Sequence, residues 1–236
     1  MHIIRPFKNY PGNKAAHGLA QKIISIMPPH DVYVETFLGS GAILSMKKPA
    51  ESNVGNDIDP VISDRWKPLS SIQYTFTNMP AIEVISIYEV FPGKVLFYHD
   101  PPYLKTVRRC DGDIYDFEMH EEASHIDLLD CISSSKQLHI ISGYESGLYN
   151  KALQGWTKMT MPASSRRWQT IEVIWFNFPV PTVIHDYRFI GKNFNDRQRI
   201  KRKVDRWIQK FENLPDLERN LIFQELHKKS ASLGSI

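Results

Sequence analysis

Two spacings of apolar residues alternate along the first three quarters of the chain. Short runs at 32–35, 52–56, 74–77, 95–98 and 138–142 are bounded by turn residues and predict strands. Between them, 14–27, 42–48, a stretch opening at Pro60, 81–88, 120–133 and 145–153 predict helices. In the first helix Leu19, Ile23 and Ile26 share a face, and Pro28-Pro29 stops it. Pro60 suits the first turn of its helix. Two further strands, 157–161 and 170–176, are joined by the polar link 163–169 with no helix between them. The pattern predicts an α/β, Rossmann-like fold: a mostly parallel sheet with helices on both faces and an antiparallel hairpin at one edge.

Pro179-Val180-Pro181 ends that pattern. Residues 1–180 read as one domain and 181–236 as a basic helical C-terminal extension. A helix is expected from about Asp196 and a second over 217–226, after Pro215. Ile200, Val204, Trp207, Ile208 and Phe211 recur at helical spacing, so this face is expected to pack on something. Trp207 and Phe211 are read as packing residues rather than base-stacking ones.

Composition narrows the classes. The chain has 236 residues and is 42% hydrophobic, enough for one large domain with a real core. No apolar run approaches the roughly 20 residues of a membrane span, and the first residues lack a signal-peptide core. Cys110 and Cys131 give neither metal-ligand spacing nor a disulfide framework. No metal is expected, and a reducing, cytoplasmic setting is. Net charge is +3, but 186–236 holds 12 Lys+Arg against 7 Asp+Glu. That asymmetry points to a polyanion partner.

Three features fall where strands end. Asp100-Pro101-Pro102-Tyr103 closes the run 95–98, and ligands of open α/β sheets bind outside the carboxyl ends of their strands. An acid that accepts from an amino group, two prolines that stiffen the backbone and an aromatic that stacks suit a flat, nitrogen-bearing ring. Gly39-x-Gly41 lies between the first strand and the next helix, where glycine lets a ligand approach the backbone. Asp57 and Asp59 close the second strand, where an acid accepts from ribose hydroxyls. Each feature alone also fits an ordinary turn. Their shared edge is where a nucleoside-bearing cofactor and a second planar substrate would meet.

With these residues the sequence resembles the D12-class, Dam-like DNA adenine-N6 methyltransferases over roughly 5–178. Phe7-Lys8-Asn9-Tyr10-Pro11-Gly12-Asn13-Lys14 looks like the family's N-terminal motif. Val34-Glu35-Thr36-Phe37-Leu38-Gly39-Ser40-Gly41 looks like its cofactor glycine motif. Asn56-Asp57-Ile58-Asp59 looks like its ribose motif, and Asp100 to Tyr103 matches its catalytic motif. Ile141-Ser142-Gly143-Tyr144-Glu145-Ser146 and Glu172-Val173-Ile174-Trp175 also look familial.

The resemblance implies S-adenosylmethionine (SAM) as cofactor and DNA as partner. Tyr10, Lys14, Glu35, Phe37, Gly39, Ser40, Gly41, Asp57, Ile58 and Asp100 would bind the cofactor. Asp100, Pro101, Pro102 and Tyr103 would be catalytic, with Tyr103 stacked on a flipped adenine. Candidate nucleic-acid contacts are Lys105, Arg108, Arg109, Arg166, Arg167, Lys201 and Arg202, within a tail that also carries Arg197, Arg199, Lys203 and Arg206.

The chain departs from the family in three places. Thr36 stands where proline is usual and is expected only to loosen the turn. Tyr10 stands where tryptophan is common. Only residues 60–99 separate the ribose and catalytic motifs, so the target-recognition insert is missing or reduced and GATC specificity does not carry over. Methylation of RNA adenine, of cytosine N4 or of a protein glutamine, and an inactive DNA-binding relative, stay open. Asp100 argues against cytosine and glutamine enzymes, whose motifs usually begin with serine and asparagine. His99 is expected to be structural.

Overall fold

The computed structural model describes residues 3–7, 14, 18–107, 117, 119, 121–164 and 169–233, without the side chains of 163, 164, 169, 170 and 230–233. Two compact units emerge, Met1–Phe189 and Ile190–Ile236. The division lies nine residues beyond the one read at Pro179–Pro181.

The first unit is built on seven strands: β1 (Val32–Glu35), β2 (Ser52–Asn56), β3 (Tyr74–Thr77), β4 (Val95–His99), β5 (Leu138–Gly143), β6 (Thr157–Ser164) and β7 (Gln169–Phe176). Their order across the sheet is β3-β2-β1-β4-β5-β7-β6. The first five run parallel, and β7 is antiparallel to β5 and to β6. The Rossmann-like sheet with a terminal hairpin is therefore the fold observed. β1 and β4 are buried along their whole length, as central parallel strands must be. The order reverses between β1 and β4, which puts the carboxyl ends of these two strands side by side at the switch point.

Helices α1 (Leu19–Ile24), α2 (Ala42–Met46), α3 (Pro60–Trp66), α4 (Ala81–Glu89), α5 (Glu122–Ser134) and α6 (Gly147–Ala152) connect the strands. Two apolar clusters result. One gathers α1, α2 and Trp66 of α3, and the other α4, α5 and α6. α1 is far shorter than the expected 14–27. Gly18 precedes it in a left-handed conformation, and Ser25 closes it. α3 begins as its sequence suggests, with Asp59 capping the Val61 amide at 2.8 Å and proline in the first turn.

Residues 178–189 close the unit. The His185 amide donates to Met27 O at 2.8 Å, and its ring stacks on His30 at 4.0 Å. Buried Asp186 accepts from the Lys48 amide at 2.8 Å and pairs with the Arg188 guanidinium at 2.6 Å.

The second unit holds α7 (Phe194–Glu212), capped by Asn193, and α8 (Asp216–Leu233). α7 opens two residues before the expected start at about Asp196, and α8 is longer than the expected 217–226. The apolar face of α7 is not buried: Trp207 is 64% exposed, and Val204 and Ile208 each 49%.

Asp186→Ala should lower stability by about 1–3 kcal/mol, because the Lys48 amide and the Arg188 guanidinium lose their buried acceptor. Burial pulls the Asp186 carboxyl up, but Arg188 and the two amides outweigh it and hold the group below its ordinary range. A depressed folded value means the contribution is full at neutral pH and fades as pH falls through that value. Urea unfolding at pH 7 and pH 3 checks this. Equal midpoints for both proteins at pH 7 would refute the docking role.

Candidate functional site

The site grows from the turn after β1. Gly39 and Gly41 both have positive φ, 46° and 58°. A Cβ on Gly41 would lie 2.4 Å from Trp66 Cζ2, so this glycine makes room for the indole. Trp66 Nε1 in turn donates to Gly39 O at 3.1 Å. Asp57, at the end of β2, accepts from the Gly39 amide at 2.7 Å and the Asp59 amide at 3.0 Å. Burial still pushes the Asp57 carboxyl up to about 6.

Glu35, the last residue of β1, is buried. Its Oε2 accepts from Tyr33 OH at 3.0 Å and the Leu44 amide at 2.9 Å. Burial pushes this carboxyl up to about 8. Lys47 lies behind it, 4.3 Å over the Tyr33 ring, and burial pushes the ammonium down to about 7.

A cleft of about 640 Å³ opens along this edge. Glu35, Asp57, Asp59 and Asp100 bring acid to it, and Phe7, Phe37, Ile58 and Ile82 bring apolar surface. That volume suits a nucleoside-sized ligand.

At the end of β4 the charges concentrate. Lys14 Nζ lies 2.9 Å from Asp100 Oδ1, 2.7 Å from Tyr103 OH and 3.6 Å from Glu172 Oε2. Tyr103 OH and Ser142 Oγ donate to the same Asp100 oxygen at 3.2 and 2.8 Å. Burial alone would strip the Lys14 proton, but Asp100 and then Glu172 outweigh it and hold the ammonium charged. Burial raises the Glu172 carboxyl against the pull of Lys14. Burial, then Asp100, pushes the Tyr103 hydroxyl well above its ordinary value, so it stays a neutral donor.

The structure brings Lys14, Glu35, Phe37, Gly39, Ser40, Asp57, Ile58, Asp100 and Pro102 to one cleft. Gly41, Pro101 and Tyr103 are not among its lining residues. Tyr103 is edge-on to Tyr144, with ring centroids 4.6 Å apart and its hydroxyl committed to Lys14 and Asp100. Lys105 is exposed just beyond the tetrapeptide, and Lys201 and Arg202 are exposed on α7. Tyr10, Arg108, Arg109, Cys110, Arg166 and Arg167 lie outside the described residues. Among the described residues no cluster could hold a metal ion, and no helix is long and apolar enough to cross a membrane. Sequence reasoning gave Ser142 and Glu172 no role, although both stand in stretches that look familial. Nor did it anticipate Trp66 behind the glycine turn, for which the sequence carries no local signal.

No protein-family model and no curated protein matches the sequence. Solved structures do resemble it. The N-methyltransferase NodS from Bradyrhizobium japonicum is 7% identical, with 70% of this chain and 98% of that chain covered at a TM-score of 0.48. An rRNA methylase from Streptococcus thermophilus is 10% identical, with 67% and 94% covered at 0.44. Magnesium protoporphyrin IX methyltransferase from Synechocystis, solved with bound SAM, is 14% identical, with 70% and 80% covered at 0.43.

Gly41→Ala should destabilise the first unit by about 2–4 kcal/mol, from its left-handed backbone and the clash with Trp66. Thermal unfolding checks it. An unchanged midpoint would mean that the indole does not brace the turn.

Proposed function

We propose that this protein transfers a methyl group from SAM to the exocyclic N6 amine of adenine in DNA. The observation that carries the proposal is the meeting of the acid-lined cleft with the tethered Asp100 at the switch point of the sheet.

The residues fit the cofactor. Its sulfonium and ammonium are cationic, and Glu35, Asp57, Asp59 and Asp100 line the cleft. Its adenine is flat and apolar, and Phe37, Ile58 and Ile82 line the same space. When bound, the cofactor supplies an electrophilic methyl group on a cationic sulfur. Everything else falls to the chain. The amine of adenine is a poor nucleophile because its lone pair is delocalised into the ring. Lys14, Tyr103 and Ser142 all converge on Asp100 Oδ1 and fix the carboxylate. Oδ2, which receives none of these three, accepts from the amine and stabilises the positive charge that develops on it. Pro102, also at the cleft, contributes a carbonyl that no proline N–H competes for. The exposed Lys105 and the basic α7 support a polyanionic substrate. The Tyr103 hydroxyl is anchored beside Asp100, so we assign Tyr103 to holding the carboxylate as well as to the edge of the base site.

The purified chain should transfer labelled methyl from SAM to plasmid DNA, with N6-methyladenine the modified base. Asp100→Ala should lower the rate at least about 100-fold. Label on cytosine N4, or on RNA in preference to DNA, would overturn the substrate assignment. No transfer to either nucleic acid would overturn the activity.

Cofactor affinity should depend on pH. Free Glu35 keeps its proton up to about 8 because of burial. A cationic ligand favours the carboxylate, so binding expels that proton and tightens as pH rises from 6 to 8, by up to about tenfold per unit for one linked proton. Asp57 adds a separate step near 6. Calorimetry in buffers of different ionisation heat should show proton release at pH 7 in the wild type and much less in Glu35→Gln. Equal release in both would refute the role given to Glu35.

A further inference from the structure

Five hydrogen-bonded side chains lead from the cleft through the core to a carboxylate at the end of α4. Thr36, buried and lining the cleft, places Oγ1 2.7 Å from His99 Nδ1. His99 Nε2 lies 2.9 Å from His139 Nδ1. His139 Nε2 lies 2.7 Å from Ser135 Oγ, which donates to Glu89 Oε2. Both histidines are buried, while Ser135 and Glu89 are half-buried. The rings of Phe97, His99 and His139 stack within 10° of parallel, so neither imidazole can turn freely.

The outer end fixes the direction of every bond in the chain. A carboxylate only accepts, so Ser135 gives its proton to Glu89 and must accept from His139. His139 then carries its proton on Nε2 and accepts at Nδ1 from His99 Nε2. His99 Nδ1 accepts from the Thr36 hydroxyl. All four bonds point outward, and Thr36, its own proton committed, can only accept from the cleft. Burial keeps both rings neutral, pushing His139 down to about 3 and His99 well below its ordinary value. An apolar pair would fill this core without the desolvation of two imidazoles. The reaction also leaves a proton to place, and Asp100 Oδ1 already holds three donors, one of them an ammonium.

We infer that Thr36, His99, His139, Ser135 and Glu89 form a relay that carries away the proton released by methyl transfer. The inference rests on the methyl-transfer reading above. The carbon–sulfur bond breaks with its electron pair going to sulfur, and the nitrogen–carbon bond forms from the amine lone pair. The surplus amine proton passes to Thr36 Oγ1, whose own proton moves to His99 Nδ1. The His99 Nε2 proton moves to His139 Nδ1, the His139 Nε2 proton to Ser135, and the Ser135 proton to Glu89. Both rings end neutral in the other tautomer, and Glu89 ends protonated. The reverse shift, into water refilling the emptied cleft, restores the starting tautomers without a ring flip.

The test uses the full chain, labelled SAM, and plasmid DNA or total RNA as acceptor. Glu89→Gln keeps one oxygen acceptor where the carboxylate offers Oε2 to Ser135 and Oε1 to the Lys136 amide, and it cannot take a proton. Ser135→Ala cuts the chain one link earlier. Single-turnover transfer should fall at least about tenfold in both, with the cofactor dissociation constant unchanged. In the wild type, nitrogen-15 spectra of the imidazoles should show both rings protonated at Nε2. Either ring protonated at Nδ1, or variants that keep pace with the wild type, would overturn the relay alone. A wild type that methylates neither nucleic acid would overturn the methyl-transfer reading, and the relay with it.

Discussion

The site depends on how the sheet satisfies the polar groups buried at its carboxyl edge. Central parallel strands end under cover, so amides and carbonyls of their turns need partners there, at a cost of about 1–3 kcal/mol for each one left bare. Side chains of the next strand supply them. Asn56 Nδ2 donates to Thr36 O and Met79 O at 3.0 and 2.9 Å, and its Oδ1 accepts from Thr77 Oγ1 at 2.8 Å. Asp57 takes the Gly39 amide, and Trp66 takes the Gly39 carbonyl. The turns after β1, β2 and β3 are thereby tied into one rigid rim. The cleft is a by-product of that rim: its floor is the set of groups that had to be satisfied anyway.

The same burial sorts the charges. Glu35 and Asp57 lose most of their acidity to it, while Lys14 keeps its proton because two carboxylates face it. In the free protein the cleft therefore holds less negative charge than its acids suggest. This is an economical way to hold acids in a core, since an uncompensated buried ion is expensive and a protonated carboxyl is not. It also makes the cluster around Asp100 the most strongly charged part of the edge before any ligand arrives.

Most of the scaffold was legible in the sequence, because period and turn chemistry agree there. β1, β2 and β3 have the bounds the pattern gives, and Asp59-Pro60 announces α3. The errors cluster where distant residues decide. α1 ends at Ile24, closed by Ser25, although apolar spacing continues to Ile26. β6 and β7 run longer than their apolar cores, since ladder bonds carry the pairing out to Ser164 and Gln169. Gly41 makes room for Trp66, a contact across 25 positions that no local rule encodes. The tetrapeptide and the two acids were readable because chemistry repeated at successive strand ends. Their buried partners, Ser142 and Glu172, were not, since a serine and a glutamate in strands look ordinary. For α7 the spacing shows which face is apolar, and amphipathic spacing alone does not say what covers it.

Thr36 shows how a small departure from a family pattern can rewire a site. The resemblance has proline at this position, and a proline would offer neither an amide proton nor a hydroxyl. Threonine offers both. Its amide donates to Tyr98 O at 3.2 Å, and its hydroxyl engages His99 at 2.7 Å. These two bonds join the turn that walls the cofactor cleft to the strand that ends in Asp100. The turn was expected to be looser for want of a proline, but it gains a second anchor instead. What a proline ring would achieve by fixing one torsion, the threonine achieves by bonding across the strands, and only because residue 99 is a histidine with Nδ1 free to accept. The two positions therefore work as a pair. Replacing either alone leaves a buried polar atom without its partner, so neither residue is a free choice once the other is present.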